Sequence, residues 1–296
     1  MGLTEHTRLA IAAAGLVPDQ VASVIDLALT EDLRDGPDVT TTSTVPIDQM
    51  SRAAITPRQP GVLAGGPVAL AVFDMVIGSA GSCRQLVPDG ATLVPGEPAL
   101  TLTGPTQGIL IGERTALNLL THLSGIATVT RTWVDAVAGS GAHIRDTRKT
   151  LPGLRALEKY AVRCGGGVNH RMSLGDAALI KDNHVAAAGS VRAAIKAVRS
   201  RNASILLEVE VDTLDQFDEA IGAGAELVLL DNFSLADTQE AVRRARALPR
   251  RVRLESSGGL TLDRAHAVAA TGVDFLAVGA LTHSAPALDI GLDLVG

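Results

Sequence analysis

Apolar residues follow two different rhythms along the chain, and the change between them divides it. In the C-terminal half, short apolar runs end abruptly in polar residues, and a segment of helical period follows each. The runs are AHIRDTR around Ile144, AALIKDN around Ile180, ILLEVEVD around Val209, LVLLDN around Leu229, RVRLESSGG around Leu254 and FLAVGALTH around Val278. Brief unbroken apolar runs of this kind predict strands covered on both faces, as in a parallel sheet. Between them, SVRAAIKAVRSR, TLDQFDEAIGAG, SLADTQEAVRRARAL and TLDRAHAVAATG carry apolar residues at helical spacing. Several open on Ser or Thr with an acid nearby and two close on Gly, which are helix start and stop signals. Six βα units in succession predict an α/β barrel with fewer than eight parallel strands. A doubly wound dinucleotide fold would need an early G-x-G-x-x-G turn, and none is present.

The first ~110 residues read differently. PDQVASVIDLALTEDL predicts an amphipathic helix, and the stretch from Arg52 to Leu110, rich in Pro, Gly, Val and Thr, predicts a small β-rich domain. GATLVPGEPALTLTG resembles the hairpins of biotinyl and lipoyl carriers, which present a Lys at the tip. No Lys occurs from Arg52 to Gly112, so the carrier reading fails and a hammerhead-like structural domain remains. From Ile111, GERTALNLLTHLSGIATVTRTWVDAVAG predicts a long helical segment with a break near Gly125. The expected domains are an N-terminal α+β domain over 1–118, joined by 284–296, and an α/β-barrel domain over 119–283.

Composition narrows the function. With 32 acidic against 26 basic side chains the formal charge is −6, and only 2% of residues are aromatic. A nucleic-acid binder needs a broad basic face or stacking platforms, so nucleic acid is not an expected partner. No apolar stretch reaches membrane-spanning length, and Glu5 and a single Arg8 are poor flanks for a signal peptide. A cytoplasmic protein is expected. Cys83 and Cys164 are far apart and fit no metal spacing.

Against that acidic background, Asp146 to His184 holds seven Lys or Arg and two His beside four carboxylates. In α/β sheets ligands sit at the C-terminal ends of the strands. Those ends carry Asp146 to Lys149, Lys181 to His184, Glu208 to Asp212, Asp231, Asn232, Glu255 to Gly259 and Gly279 to His283. Arg148, Lys149, Arg171 and Lys181 suit a small, strongly anionic ligand, because guanidinium forks match carboxylates and phosphates and ammonium adds a compact charge. Arg155, Lys159 and Arg163, on a predicted helix, read equally well as a solvated face. Glu210 and Asp231 can hold sugar hydroxyls or a hydrated Mg²⁺, or face positive charge developing at a sugar carbon; a structural ion pair is the bland alternative. Ser257, Gly258 and Gly259 before a helix start, and Gly279 with His283 in the next unit, form two loops suited to phosphate. Together these features imply one partner with phosphates and a sugar, and another with carboxylates.

The motifs DTRKT-PG-R-LEKYAV--GGG-NHR--L-D--LIKDNH, EVEVD, LLDN, ESSGG and VGALTHS, with EDL near Glu31 and GERTALN from Gly112, resemble the quinolinate phosphoribosyltransferase family over nearly the whole chain. No motif position departs in a way that removes a functional group. The resemblance implies transfer of phosphoribosyl from phosphoribosyl pyrophosphate to quinolinate with loss of CO₂, a step of NAD synthesis requiring Mg²⁺. Carried over by position, Arg148, His170, Arg171 and Lys181 resemble the quinolinate-binding set, and Arg114 matches an arginine supplied by a partner subunit. Lys149, Glu210, Asp231, Ser257, Gly258, Gly279 and His283 resemble the phosphoribosyl pyrophosphate set. Of these, Lys149, Glu210 and Asp231 would stabilise charge in the reaction. Mg²⁺ would be held mainly through substrate phosphates, with Glu210 and Asp231 as candidate ligands. The resemblance also implies a homodimer with shared sites, some members forming hexamers. The competing readings are a related pyridine-acid phosphoribosyltransferase, the molybdenum-transport-associated homologue, a Schiff-base aldolase using Lys181, and a non-catalytic phosphate-ligand binder.

Overall fold

A computed structural model describes residues 2–295. In chain order the elements are α1 (Glu5–Ala13), α2 (Pro18–Asp32), α3 (Val39–Thr44), β1 (Met50–Pro57), β2 (Gly61–Val62), α4 (Gly66–Ile77), β3 (Ser82–Gln85), β4 (Thr92–Leu93), β5 (Leu100–Pro105) and α5 (Thr106–Ala136). They continue with β6 (His143–Arg145), α6 (Arg155–Cys164), β7 (Ala178–Ile180), α7 (Asp182–Ala188), α8 (Val191–Arg201), β8 (Leu207–Val211), α9 (Leu214–Gly222) and β9 (Leu227–Asp231). The last are α10 (Leu235–Arg246), β10 (Arg253–Ser257), α11 (Leu262–Ala269), β11 (Phe275–Ala277), α12 (Ala280–His283) and β12 (Ile290–Val295). The chain separates into two compact bodies. One takes the chain up to Arg131, Thr150–Gly166 and everything from Leu281; the other takes Thr132–Lys149 and Gly167–Ala280.

The first body is built on an antiparallel sheet in the order β12-β1-β5-β3. The C-terminal strand β12 runs along β1 from Arg52↔Val295 to Pro57↔Ile290, so the end of the chain completes the N-terminal sheet. Arg58 and Asp293 pair beside that seam at 2.7 Å. Helix α4 lies in a region expected to be β-rich. Its sequence, GPVALAVFDMVI, is apolar but for Asp74, and its first eight residues are buried. A helix buried all round shows no 3.6-residue stripe, so the pattern could not distinguish it from strand. The expected break at Gly125 does not occur: α5 runs unbroken for 31 residues. A Cβ at Gly125 would lie 2.1 Å from the Pro286 carbonyl oxygen, so the glycine serves close backbone packing and not a bend. Of the two readings left open for α6, the solvated face holds for the exposed Arg163 and not for Lys159. Lys159 is fully buried, Arg155 Nε donates to Thr150 Oγ1 at 3.1 Å, and Arg163 Nη2 donates to the Ala14 carbonyl at 2.9 Å.

The second body is a six-stranded parallel sheet in the order β6-β11-β10-β9-β8-β7. All six expected strands are present, and the first, β6, pairs with the last, β11, through Phe275↔His143 to Ala277↔Arg145. That is a barrel order with its seam between β6 and β7, where Val168 bridges to Arg145. Curvature follows from a distance. β6 and β8 are four strands apart, roughly 19 Å on a flat sheet, yet Arg145 Nη1 lies 3.8 Å from Glu208 Oε1. The strand ladder must curl to bring these side chains together. The helices between strands start where the sequence signals them. Ser190, Thr213 and Ser234 each accept a backbone N–H two or three residues into α8, α9 and α10, each cap being worth about 1 kcal/mol. Among the described residues no single helix is long and apolar enough to cross a membrane.

Candidate active site

The C-terminal ends of the six strands surround a cavity of about 420 Å³. Its lining brings together Arg148, Lys149, His170, Arg171, Lys181, Glu210, Asp231 and Ser257, eight of the residues singled out from the sequence. Thr147, Leu179, Leu229, Glu255 and Ala277 complete the wall. The apolar members come from β7, β9 and β11 and offer a surface for a flat ring, with the cations around it.

The charged side chains sit at the strand ends and on the loop before β7. Asp146, fully buried, closes β6. Its Oδ1 accepts the His170 N–H at 2.8 Å, and its Oδ2 accepts Asn169 Nδ2 at 2.5 Å. This carboxylate therefore fastens the segment carrying His170 and Arg171 onto the strand that leads to Arg148 and Lys149. Arg171 Nη1 donates to the Ala177 carbonyl at 3.0 Å. Burial, and next the charge of Arg148, pull the Arg171 guanidinium below its ordinary range. Two cations held this close, one of them half-buried, make a site that favours an anion. Lys181 at the end of β7 is ion-paired with Glu210 at the end of β8, so part of the positive charge is already offset.

On the other side of the mouth, Asn232 adopts φ 54°, the one non-glycine positive φ among the described residues. Its N–H donates to the Ser257 carbonyl at 2.9 Å, and its Nδ2 donates to Asp231 Oδ2 at 2.7 Å. Gly258, at φ +85°, lies against it: a Cβ there would sit 2.2 Å from Asn232 Oδ1 and 2.8 Å from its backbone nitrogen. Only glycine fits that close approach. Gly258, Gly279, Arg114 and His283 do not line the cavity. Arg114 is exposed on α5 of the first body, and His283, also exposed, shares a hydrogen bond from Nδ1 to Ser284 Oγ at 2.6 Å.

Below this rim lies a second charged layer; sequence reading named His170 for the substrate and noted Glu208 and Glu255 only as strand-end residues, and it did not single out Arg145. Arg145, Glu208, Glu255 and His170 are each at most 8% exposed. Arg145 Nη1 lies 2.5 Å from Glu255 Oε2, and His170 Nε2 lies 2.8 Å from Glu208 Oε2. His170, Glu208 and Glu255 converge closely enough to suit a metal ion. Here the Arg145 guanidinium, stacked 4.8 Å over Phe275, already supplies the positive charge. The signal for three of the four was present in the strands: Arg145, Glu208 and Glu255 each lie two positions before a mouth residue, Thr147, Glu210 and Ser257, and so point the same way.

The chain matches two family models in succession: the quinolinate phosphoribosyl transferase N-terminal domain over residues 38–124 and its C-terminal domain over 126–293. A carboxylating nicotinate-nucleotide pyrophosphorylase of Mycobacterium leprae is 57% identical over 277 residues, covering 93% of this chain and 98% of that one. The Homo sapiens protein of the same name is 38% identical over 284 residues, covering 94% and 93%. The solved nicotinate-nucleotide pyrophosphorylase of Francisella tularensis superposes with a TM-score of 0.87 at 37% identity, covering 94% of this chain and 96% of that one. On the strength of both domain matches and of these relatives, the chain belongs to the quinolinate phosphoribosyl transferase family.

Proposed function

We propose that this protein transfers phosphoribosyl from phosphoribosyl pyrophosphate to quinolinate with decarboxylation, giving nicotinate mononucleotide, pyrophosphate and CO₂ for NAD synthesis. The observation that carries the reading is one cavity in which Arg148, Lys149, Arg171 and Lys181 face Glu210 and Asp231 across an apolar wall. A pyridine dicarboxylate needs several cations to hold it in one orientation and a flat apolar surface for its ring. A phosphorylated sugar needs cations for its phosphates and carboxylates near its hydroxyls.

In this reading Arg148, His170, Arg171 and Lys181 bind quinolinate, whose two carboxylates call for the cations. Lys149 offsets charge on the departing pyrophosphate, and Glu210 and Asp231 face the positive charge that develops at the anomeric carbon. The bond from that carbon to pyrophosphate breaks, and the pyridine nitrogen supplies the electron pair for the new bond. The resulting pyridinium withdraws electrons from C2. Its carboxylate leaves as CO₂, the bonding pair stays on C2, and C2 takes up a proton. The substrate is its own electron sink, so the protein's work is positioning and charge. Ser257 and the glycine-built turn at Gly258 suit a phosphate, as do Gly279 and His283.

Mg²⁺ belongs to the same reading. Glu210 and Asp231 offer hard oxygen donors at the mouth, matching an ion that takes one or two carboxylates and substrate phosphate oxygens. It would offset pyrophosphate charge. The exposed Arg114 would serve the pocket of a second copy, which makes a homodimer the working unit, with a hexamer built from such dimers as a further form. A cytoplasmic location is part of the same proposal. The Schiff-base alternative loses its candidate, because an ammonium ion-paired with Glu210 is a poor nucleophile.

Incubation with quinolinate, phosphoribosyl pyrophosphate and Mg²⁺ should release mononucleotide, pyrophosphate and CO₂ in equal amounts. Turnover of nicotinate without CO₂, or binding of phosphoribosyl pyrophosphate with no pyrophosphate released, would overturn the reading in favour of a related transferase or a binder.

A further inference from the structure

A second cavity, of about 470 Å³, opens at the opposite end of the parallel sheet from the mouth, beside the residues that start β10 and precede β11. Its wall holds three arginines, Arg246, Arg250 and Arg251, against one carboxylate, Asp274. The chain as a whole is acidic, at −6, so this local excess of positive charge calls for a counter-charge.

The hydrogen bonds show which of these groups are already engaged. Asp274 Oδ1 accepts Arg251 Nη2 at 3.2 Å, and Oδ2 accepts the Leu254 N–H at 2.8 Å. Arg250 donates from Nη1 to the Ala225 carbonyl at 2.7 Å and from Nη2 to the Ile221 carbonyl at 2.6 Å. Two neutral acceptors fix its position and leave its charge uncancelled. Arg246, the last residue of α10, makes no hydrogen bond or ion pair among the described residues. It is nevertheless seated. Gly272, at φ +94°, lies under the guanidinium, and a Cβ there would stand 2.3 Å from Arg246 Nη2 and 3.1 Å from its Cζ. Its neighbours differ: Arg243 and Arg244 are both ion-paired with Glu240, and Arg244 also with Asp218. Cations gather at helix C-termini to meet the last carbonyls, but those of α10 accept the Ala247 N–H. Helix capping therefore does not account for Arg246.

We propose that this cavity is a second anion site, in which Arg246, Arg250 and Arg251 bind a small phosphate-bearing molecule, either free pyrophosphate or the diphosphate of a nucleotide. Guanidinium forks match phosphate oxygens in pairs. Three cations against one acid suit an anion carrying more than a single charge. The donors also come from different segments, the end of α10 and the loop before β10, and a tetrahedral phosphate accepts from several sides where a planar carboxylate does not. The cavity shares no lining residue with the mouth, so the inference does not depend on the transferase reading.

Calorimetric titration with inorganic pyrophosphate, and separately with adenosine diphosphate, tests this at about 0.15 M salt, where loose surface charge is screened. Arg246 is exposed, so Arg246→Leu should fold as the unaltered protein does. It should weaken one class of pyrophosphate site roughly tenfold or more and leave the quinolinate KM unchanged. Arg246→Lys, which keeps the charge without the fork, should fall between. Lys149→Ala should keep this site and weaken the one at the mouth. Tighter binding of adenosine diphosphate than of pyrophosphate at the Arg246-dependent site would identify a nucleotide as the occupant, and the reverse the free anion. Titrations that Arg246→Leu leaves unaltered would overturn the site. Equal affinity there for malonate, a dicarboxylate, would overturn the phosphate class. Failure of the unaltered protein to turn over quinolinate, with the Arg246-dependent site still binding pyrophosphate, would refute the proposed reaction and leave this inference standing.

Discussion

Replacing Arg171 should separate binding from stability. In the free protein its guanidinium is half-buried, spends one N–H on the Ala177 carbonyl at 3.0 Å, and stands close enough to Arg148 for the two charges to oppose each other. Both burial and Arg148 disfavour its charge, so the resting site holds this cation at a cost. Arg171→Met keeps the apolar stem, removes the repulsion and gives up one hydrogen bond of about 1 kcal/mol. The two effects oppose, and unfolding stability should change by no more than about 1 kcal/mol in either direction. Binding has no such compensation. Truncating one partner of a buried charge pair costs about 2–5 kcal/mol, which is a loss of roughly 30- to 4,000-fold in quinolinate affinity. Calorimetric titration with quinolinate, beside urea unfolding of the same preparation, reads both quantities. Unchanged affinity in a folded variant would refute the assignment of Arg171 to the dicarboxylate. A stability loss well beyond 2 kcal/mol would show instead that its main work is structural.

Gly258→Ala must place a Cβ 2.2 Å from Asn232 Oδ1 at a φ of +85°, so about 1–3 kcal/mol of strain is expected, together with a higher KM for phosphoribosyl pyrophosphate; an unaltered KM would show that this turn does not shape the phosphate side of the site. Mixing an inactive Arg114→Ala chain with an inactive Lys149→Ala chain should recover part of the activity, because one pocket of the mixed dimer would be intact. No recovery in a verified mixed dimer would refute the shared site. Glu255 also predicts the direction of a stability change. Its carboxyl is raised in the folded protein from 4.5 to about 8; its contribution is therefore full below the unfolded value and is lost as pH rises towards 8. The urea midpoint should fall over that window, and the fall should be smaller in Glu255→Gln. Equal slopes would show that Glu255 titrates normally.

The repeat of apolar run and amphipathic segment made the barrel legible because a parallel sheet covered by helices imposes both rhythms on the sequence. Strand ends marked the mouth for the same reason. What escaped was whatever carried no period or lay one step deeper. Helix α4 is apolar but for Asp74 and so lacks a polar stripe to read. Gly125 resembled a helix breaker because a sequence does not show that Pro286 packs against it. Arg145 escaped, and Glu208 and Glu255 were noted at strand ends without a role, because each lies inside an apolar run, where a charge passes for an exception, when in a curled sheet it is a layer. Alternation would have exposed them: Glu208 lies two positions before Glu210, Glu255 two before Ser257 and Arg145 two before Thr147. Residues two apart on a strand face the same way, so every mouth residue implies a neighbour beneath it.

That stacking explains how one site can be both crowded with cations and stable. An upper ring of Arg148, Lys149, Arg171 and Lys181 with no counter-charge would drive itself apart in the empty enzyme. Ionising both acids of the lower layer would cure this, but the floor would then repel a dicarboxylate. Pairing Lys181 with Glu210 at the rim offsets part of that charge without filling the place the substrate must take. The number of negative charges beneath the cavity is thus a variable of specificity. Relatives that take a pyridine with a single carboxylate should tolerate one more charge at this depth, and Leu229→Asp, which adds one through the wall, should depress binding of quinolinate more than binding of nicotinate. Equal losses for the two acids, measured by competition on the folded variant, would show that the floor acts through shape and not through charge.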